Sequence, residues 1–240
     1  MSEADAQRRR SAELRDRAVR TGDVETMLAA VAAARAALAA DETDPRSLAL
    51  LGAARTVLGE HTSDPTWLEA AAGSYREALA ASDGEDRARM HRNLGAVLSM
   101  LGRLTDDPSA LAEAIGHGRA AVDGYAPGSL DWAIALNNVA DALGVLGERT
   151  GDRDALDASV AACRAALTVT TRAAFPRDWA MSSTNLANAL AALGGEARLA
   201  EAVTLYQAAL EALDDPRLAS AVRYNLDRAE ALLLSSHEAR

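Results

Sequence analysis

The chain has 240 residues, with 35 acidic and 25 basic side chains and a formal charge of −10; every basic residue is Arg, and 58 positions are Ala. One Cys excludes a disulfide scaffold and a multi-thiolate metal site. The acidic balance weighs against nucleic acid, whose binding rests on Lys and Arg neutralising phosphates, and no apolar run approaches the ~20 residues that span a bilayer.

Ala and Leu favour helix. Strands draw on Val, Ile, Thr and aromatics, and the chain has two Ile and eight aromatics. The composition predicts an all-α protein. In chain order, MSEADAQRRR has no apolar stretch after its charges, so no secretory signal is expected and the expected compartment is the cytoplasm. Residues 1 to 23 carry six Arg, including Arg8, Arg9 and Arg10, nearly balanced by Glu3, Asp5, Glu13 and Asp16, while Leu14, Ala18 and Val19 read as a first helix. No room is expected there for a helix-turn-helix domain.

Beyond this first helix two motifs alternate. The first reads LLGAARTVLG (Leu50 to Gly59), NLGAVLSMLG (Asn93 to Gly102), NVADALGVLG (Asn138 to Gly147), NLANALAALG (Asn185 to Gly194) and, more loosely, NLDRAEALLL from Asn225. Its copies start 43, 45, 47 and 40 residues apart. The second runs Met27–Leu38, Leu68–Leu79, Leu111–Val122, Leu156–Leu167 and Leu199–Leu210. Its apolar positions fall at i, i+3, i+4, i+7, i+8 and i+11, a helical stripe. Small residues recur at Ala30, Ala71, Ala114, Ser159 and Ala202, where they let two helices approach closely. Asp-Pro at Asp44, Asp64, Asp107 and Asp215 reads as a helix start. Gly59, Gly102, Gly147 and Gly194 read as left-handed helix stops. The pattern predicts eleven helices: five pairs, near 4–40, 44–81, 84–125, 128–172 and 176–213, and a terminal capping helix over 215–236, forming a single repeat domain across 1–240.

These residues resemble tetratricopeptide repeats. Asn93-Leu94-Gly95, Leu98, Gly102, Ala114-Ile115 and Ala121-Val122 match that family's pattern, as do Asn185-Leu186, Leu190, Gly194, Ala202-Val203, Tyr206 and Ala209-Leu210. The resemblance covers roughly residues 10 to 234, with periods longer than the family's ~34 residues. Gly59 to Leu68, Gly102 to Leu111 and Gly147 to Leu156 each span nine positions, whereas Gly194 to Leu199 spans five. With Asp131-Trp132-Ala133, Asp178-Trp179-Ala180 and the GERTGD phrase at Gly147 to Asp152, the chain is similar to actinobacterial arrays found beside CHAT protease or NTPase domains. No such domain is expected within these residues, which the repeats fill. The resemblance implies a right-handed α-solenoid whose first helices line a concave face.

Residues outside the packed stripe are the candidates for that face: Arg89 and Arg92 in one repeat, Asn137 and Asp141 in the next, Thr184 and Asn188 in the next, and Tyr224 and Arg228 on the terminal helix. Asn93, Asn138, Asn185 and Asn225 form a ladder that either pairs with an extended peptide or bonds the neighbouring helix and holds the stack. Asn137 and Asn188 are expected to be the freer contacts, since packing does not demand them. The family's chaperone-tail clamp uses Lys and Asn; with no Lys, only Arg89 and Arg92 offer the charge, as a contact for acidic ligands or as a solvated face. Trp132 and Trp179 read as plugs on the preceding second helix or as an aromatic row. Trp67 is expected in a loop, also as a plug.

No catalytic constellation is evident. His61, His91, His117 and His237 read as isolated, Cys163 as a buried apolar residue, and the Asp152, Asp154, Asp157 run as helix capping, since it lacks the Gly and Glu of a calcium loop. No metal or cofactor is expected. The expected role is a non-catalytic adaptor for a protein or peptide, without nucleic-acid or membrane partners. The alternatives are an enzyme or small-ligand site inside the superhelix, and a homodimer through the terminal helix, where Leu232, Leu233 and Leu234 exceed a single packed stripe.

Overall fold

The computed structural model describes residues 2–238 and is all-helical among them. Eleven helices follow one another: α1 (Glu3–Thr21), α2 (Val24–Leu38), α3 (Pro45–Thr62), α4 (Pro65–Ala80), α5 (Gly84–Thr105), α6 (Pro108–Gly124), α7 (Leu130–Thr150), α8 (Arg153–Leu167), α9 (Pro176–Leu193), α10 (Glu196–Leu210) and α11 (Pro216–Glu238). Among the described residues no helix is long and apolar enough to cross a membrane.

The starts follow local chemistry. The carboxylates of Asp44 and Asp64 accept from the first free N–H groups of α3 and α4. Asp107 takes the Ser109 N–H at 2.8 Å and Asp215 the Arg217 N–H at 2.9 Å. In each case Pro occupies the position whose N–H would have had no partner. Asp152 likewise caps α8 through the N–H groups of Asp154 and Ala155. Trp67 lies in the first turn of α4, not in a loop.

The stops differ from expectation at three of four glycines. Helices α3, α5 and α7 run on past Gly59, Gly102 and Gly147 and end at Ser63 (φ 54°), Asp106 (φ 57°) and Gly151 (φ 72°). The three interior glycines serve close approach instead. A Cβ added to Gly59, Gly102 or Gly147 would stand 2.8, 2.9 or 2.7 Å from the side chain of Leu68, Leu111 or Leu156 on the following helix. Of the four, only Gly194, with nothing near its missing Cβ, ends its helix, and its φ of 68° with ψ −176° is a glycine conformation other than the left-handed helical one expected.

The chain divides into two compact units, one ending at Gly124 and the other beginning at Tyr125. In the first, α1–α2, α3–α4 and α5–α6 are hairpins; in the second, α7–α8 and α9–α10 are hairpins and α11 packs on α10 and α9. The small-residue positions Ala30, Ala71, Ala114, Ser159 and Ala202 are all buried. Ser11 Oγ donates to Ala30 O at 2.8 Å, and Ser159 Oγ to Ala140 O at 2.7 Å, so these buried hydroxyls are satisfied across the hairpin. Met27, Val31, Leu51 and Leu58 centre one cluster of the first unit, with Trp67 against it. Leu186, Leu190, Tyr206 and Val222 centre that of the second, where Trp179 joins Cys163 of α8.

Within each unit the two sides differ. First helices touch first helices directly: α1 with α3 and α3 with α5, α7 with α9 and α9 with α11. Two pairs of second helices are instead bridged by long side chains, Arg76 to Glu113 at 2.7 Å between α4 and α6, and Arg164 to Glu201 at 3.2 Å between α8 and α10. The first-helix side of each unit is therefore the tighter one.

Candidate functional site

The expected contact residues fall into two groups. Arg89, Arg92 and Asn93 lie on α5 in the first unit. Arg89 is exposed and paired with Asp86 one turn back. Arg92 and Asn93 are half-buried. Arg92 acts electrostatically on the Tyr75 hydroxyl, as does Arg15 of α1. Tyr75 comes from α4, and its ring lies over the bare Cα of Gly52 on α3, where a Cβ would stand 2.9 Å from Cζ. The missing side chain lets the phenol pass α3 and reach Thr56. Burial pushes the Tyr75 phenol up to about 12, although Thr56, Arg15 and Arg92 pull the other way. Sequence reasoning passed over Arg15, because α1 carries no copy of the Asn motif to set its register.

The other nine lie in the second unit. Asn137, Asn138 and Asp141 on α7, and Thr184, Asn185 and Asn188 on α9, are half-buried. On α11, Asn225 is half-buried, and Tyr224 is 65% exposed. The amides hold first helices together. Asn185 Nδ2 donates to Asn137 Oδ1 at 3.1 Å, and Asn225 Nδ2 to Asn188 Oδ1 at 3.0 Å. Asn188 Oδ1 also accepts the Tyr206 hydroxyl at 2.7 Å. Asn137 and Asn188, expected to be released from packing, are the acceptors of the ladder. The two rungs run from Asn185 and Asn225 to the previous first helix, not to its equivalent Asn but to Asn137, the residue before Asn138, and to Asn188, one turn after Asn185. Thr184 turns inward and donates to Ala180 O at 2.8 Å. Arg228 stacks 6.0 Å from the Tyr224 ring centroid and lies 4.0 Å from Glu148. Tyr224, Arg228 and Glu148 are thus exposed, whereas the amides are half-buried.

Two further features were missed. Arg55 stands where other repeats carry Leu98, Leu143 and Leu190. Its Nη1 donates to Ala70 O at 2.9 Å and to Ser74 Oγ, and burial followed by the nearby Arg35 lowers its pKa. His91 and His117, expected to be isolated, are a contacting pair with Nδ1 atoms 2.9 Å apart. The side chain of His237 lies outside the described residues.

Cys163 is fully buried, and burial, with Asp141 adding to it, pushes its thiol up to about 12. A thiol so held is not a nucleophile at neutral pH. Among the described residues no group of three or more His, Cys, Asp or Glu side chains is arranged to hold a metal ion.

No family model matches the sequence, and no curated protein matches it. Solved structures do. A thermophilic TPR protein of Thermus thermophilus, TTC0263, is similar with a TM-score of 0.61 at 19% identity, over 93% of this chain and 99% of that one. BtubC (BKLC) of P. vanneervenii is similar with a TM-score of 0.55 at 19% identity, over 90% of this chain and 85% of that one. At this identity the likeness shows the fold alone: the helix pairs are those of the tetratricopeptide fold.

Proposed function

We propose that this chain, with its tetratricopeptide fold, is a non-catalytic adaptor that binds a protein or peptide across the first-helix faces of its units. One observation carries the reading: the side on which first helices adjoin collects hydrogen-bonding and charged side chains on neighbouring helices. In the first unit these are Arg15 and Arg92 about the Tyr75 hydroxyl. In the second they are Asn138, Asp141, Glu148, Tyr224 and Arg228 beside the amide rungs. The rungs fix the helices before a ligand arrives, which lowers the ordering cost of binding. On the first face the charge is guanidinium, which favours carboxylates; Arg15 already holds Asp16 at 2.7 and 3.0 Å, so an acidic segment is expected there in competition with that side chain.

The test uses the chain as bait in the soluble lysate of its source, beside Arg92→Glu and the double variant Tyr224→Ala, Arg228→Glu. A specific partner whose recovery falls at least tenfold with one face variant, at unchanged helicity, supports the reading. No specific partner, or full recovery with both variants, refutes it. A second reading has its own observation: Leu232 and Leu234 of α11 are 48% and 64% exposed. These favour self-association through the terminal helix, and a monomer in light scattering at high concentration dismisses it.

A further inference from the structure

His91 of α5 and His117 of α6 face each other across their hairpin, Nδ1 to Nδ1 at 2.9 Å with ring centroids 5.1 Å apart. Both are half-buried. A nitrogen–nitrogen contact this short needs one N–H lying between the rings, donated by one and accepted by the other. On the far side of His117, Nε2 lies 3.5 Å from Glu113 Oε1, one turn earlier on α6. Glu113 is itself held by Arg76 of α4 at 2.7 Å. The carboxylate favours a proton on Nε2 of His117. Nδ1 of that ring is then the acceptor, and His91 is the donor. Among the charged groups acting on the pair are Arg87 of α5, Glu113 of α6 and Arg76 of α4; α3, which carries Arg46, Arg55, Glu60 and His61, also packs on α5.

We propose that this pair is a proton-operated clasp of the α5–α6 hairpin, closed while the rings share one N–H between their Nδ1 atoms and opened once both rings are imidazolium. The first proton from solvent enters at Nε2 of His91. That ring becomes a cation but still donates through Nδ1, so the clasp survives. The second has only Nδ1 of His117 to occupy. It removes the acceptor and sets two cations ring to ring beside Arg76 and Arg87. Opening therefore takes up two protons, one at each of these nitrogens.

The electrostatics agree with the geometry. Burial lowers both rings below the ordinary histidine value; His117 and Arg87 add to this at His91, while at His117 Glu113 opposes it and Arg76 adds to it. Folded values below the free value of about 6.5 mean that the pair's contribution is complete above that pH. It is lost as pH falls through the folded values. Each unit of separation loosens the hairpin by up to about tenfold once both values are passed.

The test is amide hydrogen exchange of the full chain near neutrality and near pH 5, corrected for intrinsic rates, with imidazole titration by NMR. Opening of α5 and α6 should rise at least tenfold on acidification relative to the α1–α2 hairpin. His91→Gln and His117→Gln, which keep neutral hydrogen-bonding side chains, should each lose most of that rise. The two rings should titrate in coupled steps, the lower well below the free value. Independent titration of both rings at the free value overturns the clasp, as does an equal rise in both variants. If the variants fail to fold, the titration of the unaltered chain decides alone.

Discussion

The same substitution should stabilise at one glycine of a hairpin and fail to do so at another. Gly102 of α5 and Gly116 of α6 are both helical, and Gly→Ala in a helix interior is worth about 1 kcal/mol in propensity alone. At Gly116 nothing lies within 4 Å of the new Cβ, so Gly116→Ala should realise that gain. At Gly102 the methyl would stand 2.9 Å from Leu111 Cγ and 3.0 Å from Asp107 O. The carbonyl cannot yield, because it accepts the Leu111 N–H in the first turn of α6. Overpacking of this kind costs about 1–3 kcal/mol, which cancels or exceeds the propensity gain. Gly102→Ala should therefore be less stable than Gly116→Ala by about 1–3 kcal/mol, the range of the overpacking cost. Urea unfolding followed by circular dichroism measures both. A Gly102→Ala protein as stable as Gly116→Ala would refute the close-approach reading of this motif glycine, and of Gly59 and Gly147 with it.

Two other outcomes follow from the polar contacts. Asn188→Ala removes the acceptor of both Tyr206 and Asn225. Leaving the buried Tyr206 hydroxyl unpaired should cost about 1–3 kcal/mol, whereas Asn188→Ala combined with Tyr206→Phe should recover part of it; urea midpoints of the three proteins check this. Asp44 joins α3 to α1. Burial opposes its ionised form, but the Ser47 hydroxyl and N–H and the Arg8 guanidinium outweigh that and hold its carboxyl below the usual range. A lowered folded value gives stability that is present above the free carboxylate pKa of about 3.9 and lost as pH falls below it. Asp44→Ala should thus cost about 1–2 kcal/mol at neutral pH, and its deficit against the unaltered chain should shrink near pH 3.

Helix starts were legible because Asp-Pro is a local signal: the carboxylate and the missing N–H act within one turn. The stops were not, because glycine has two uses that look alike in sequence. Spacing separates them. Nine positions from Gly102 to Leu111 leave room for another turn of helix, and five from Gly194 to Leu199 do not. The amide ladder was legible as a ladder, but not its rungs, since the offset between successive first helices sets which turn each Asn meets. The histidine pair was hidden for a related reason. Periodicity says which face a residue occupies, while hairpin register says what it meets. Once Gly95 is known to approach Ala114, one turn back on α5 and one turn on along α6 bring His91 to His117.

The most direct measurement is hydrogen exchange of the chain with its captured partner bound. An adaptor that binds across the first-helix faces predicts added protection on α1, α3 and α5, or on α7, α9 and α11, centred on the turns that carry Arg92 or Tyr224. Protection confined to α2, α4, α6, α8 and α10 would contradict it.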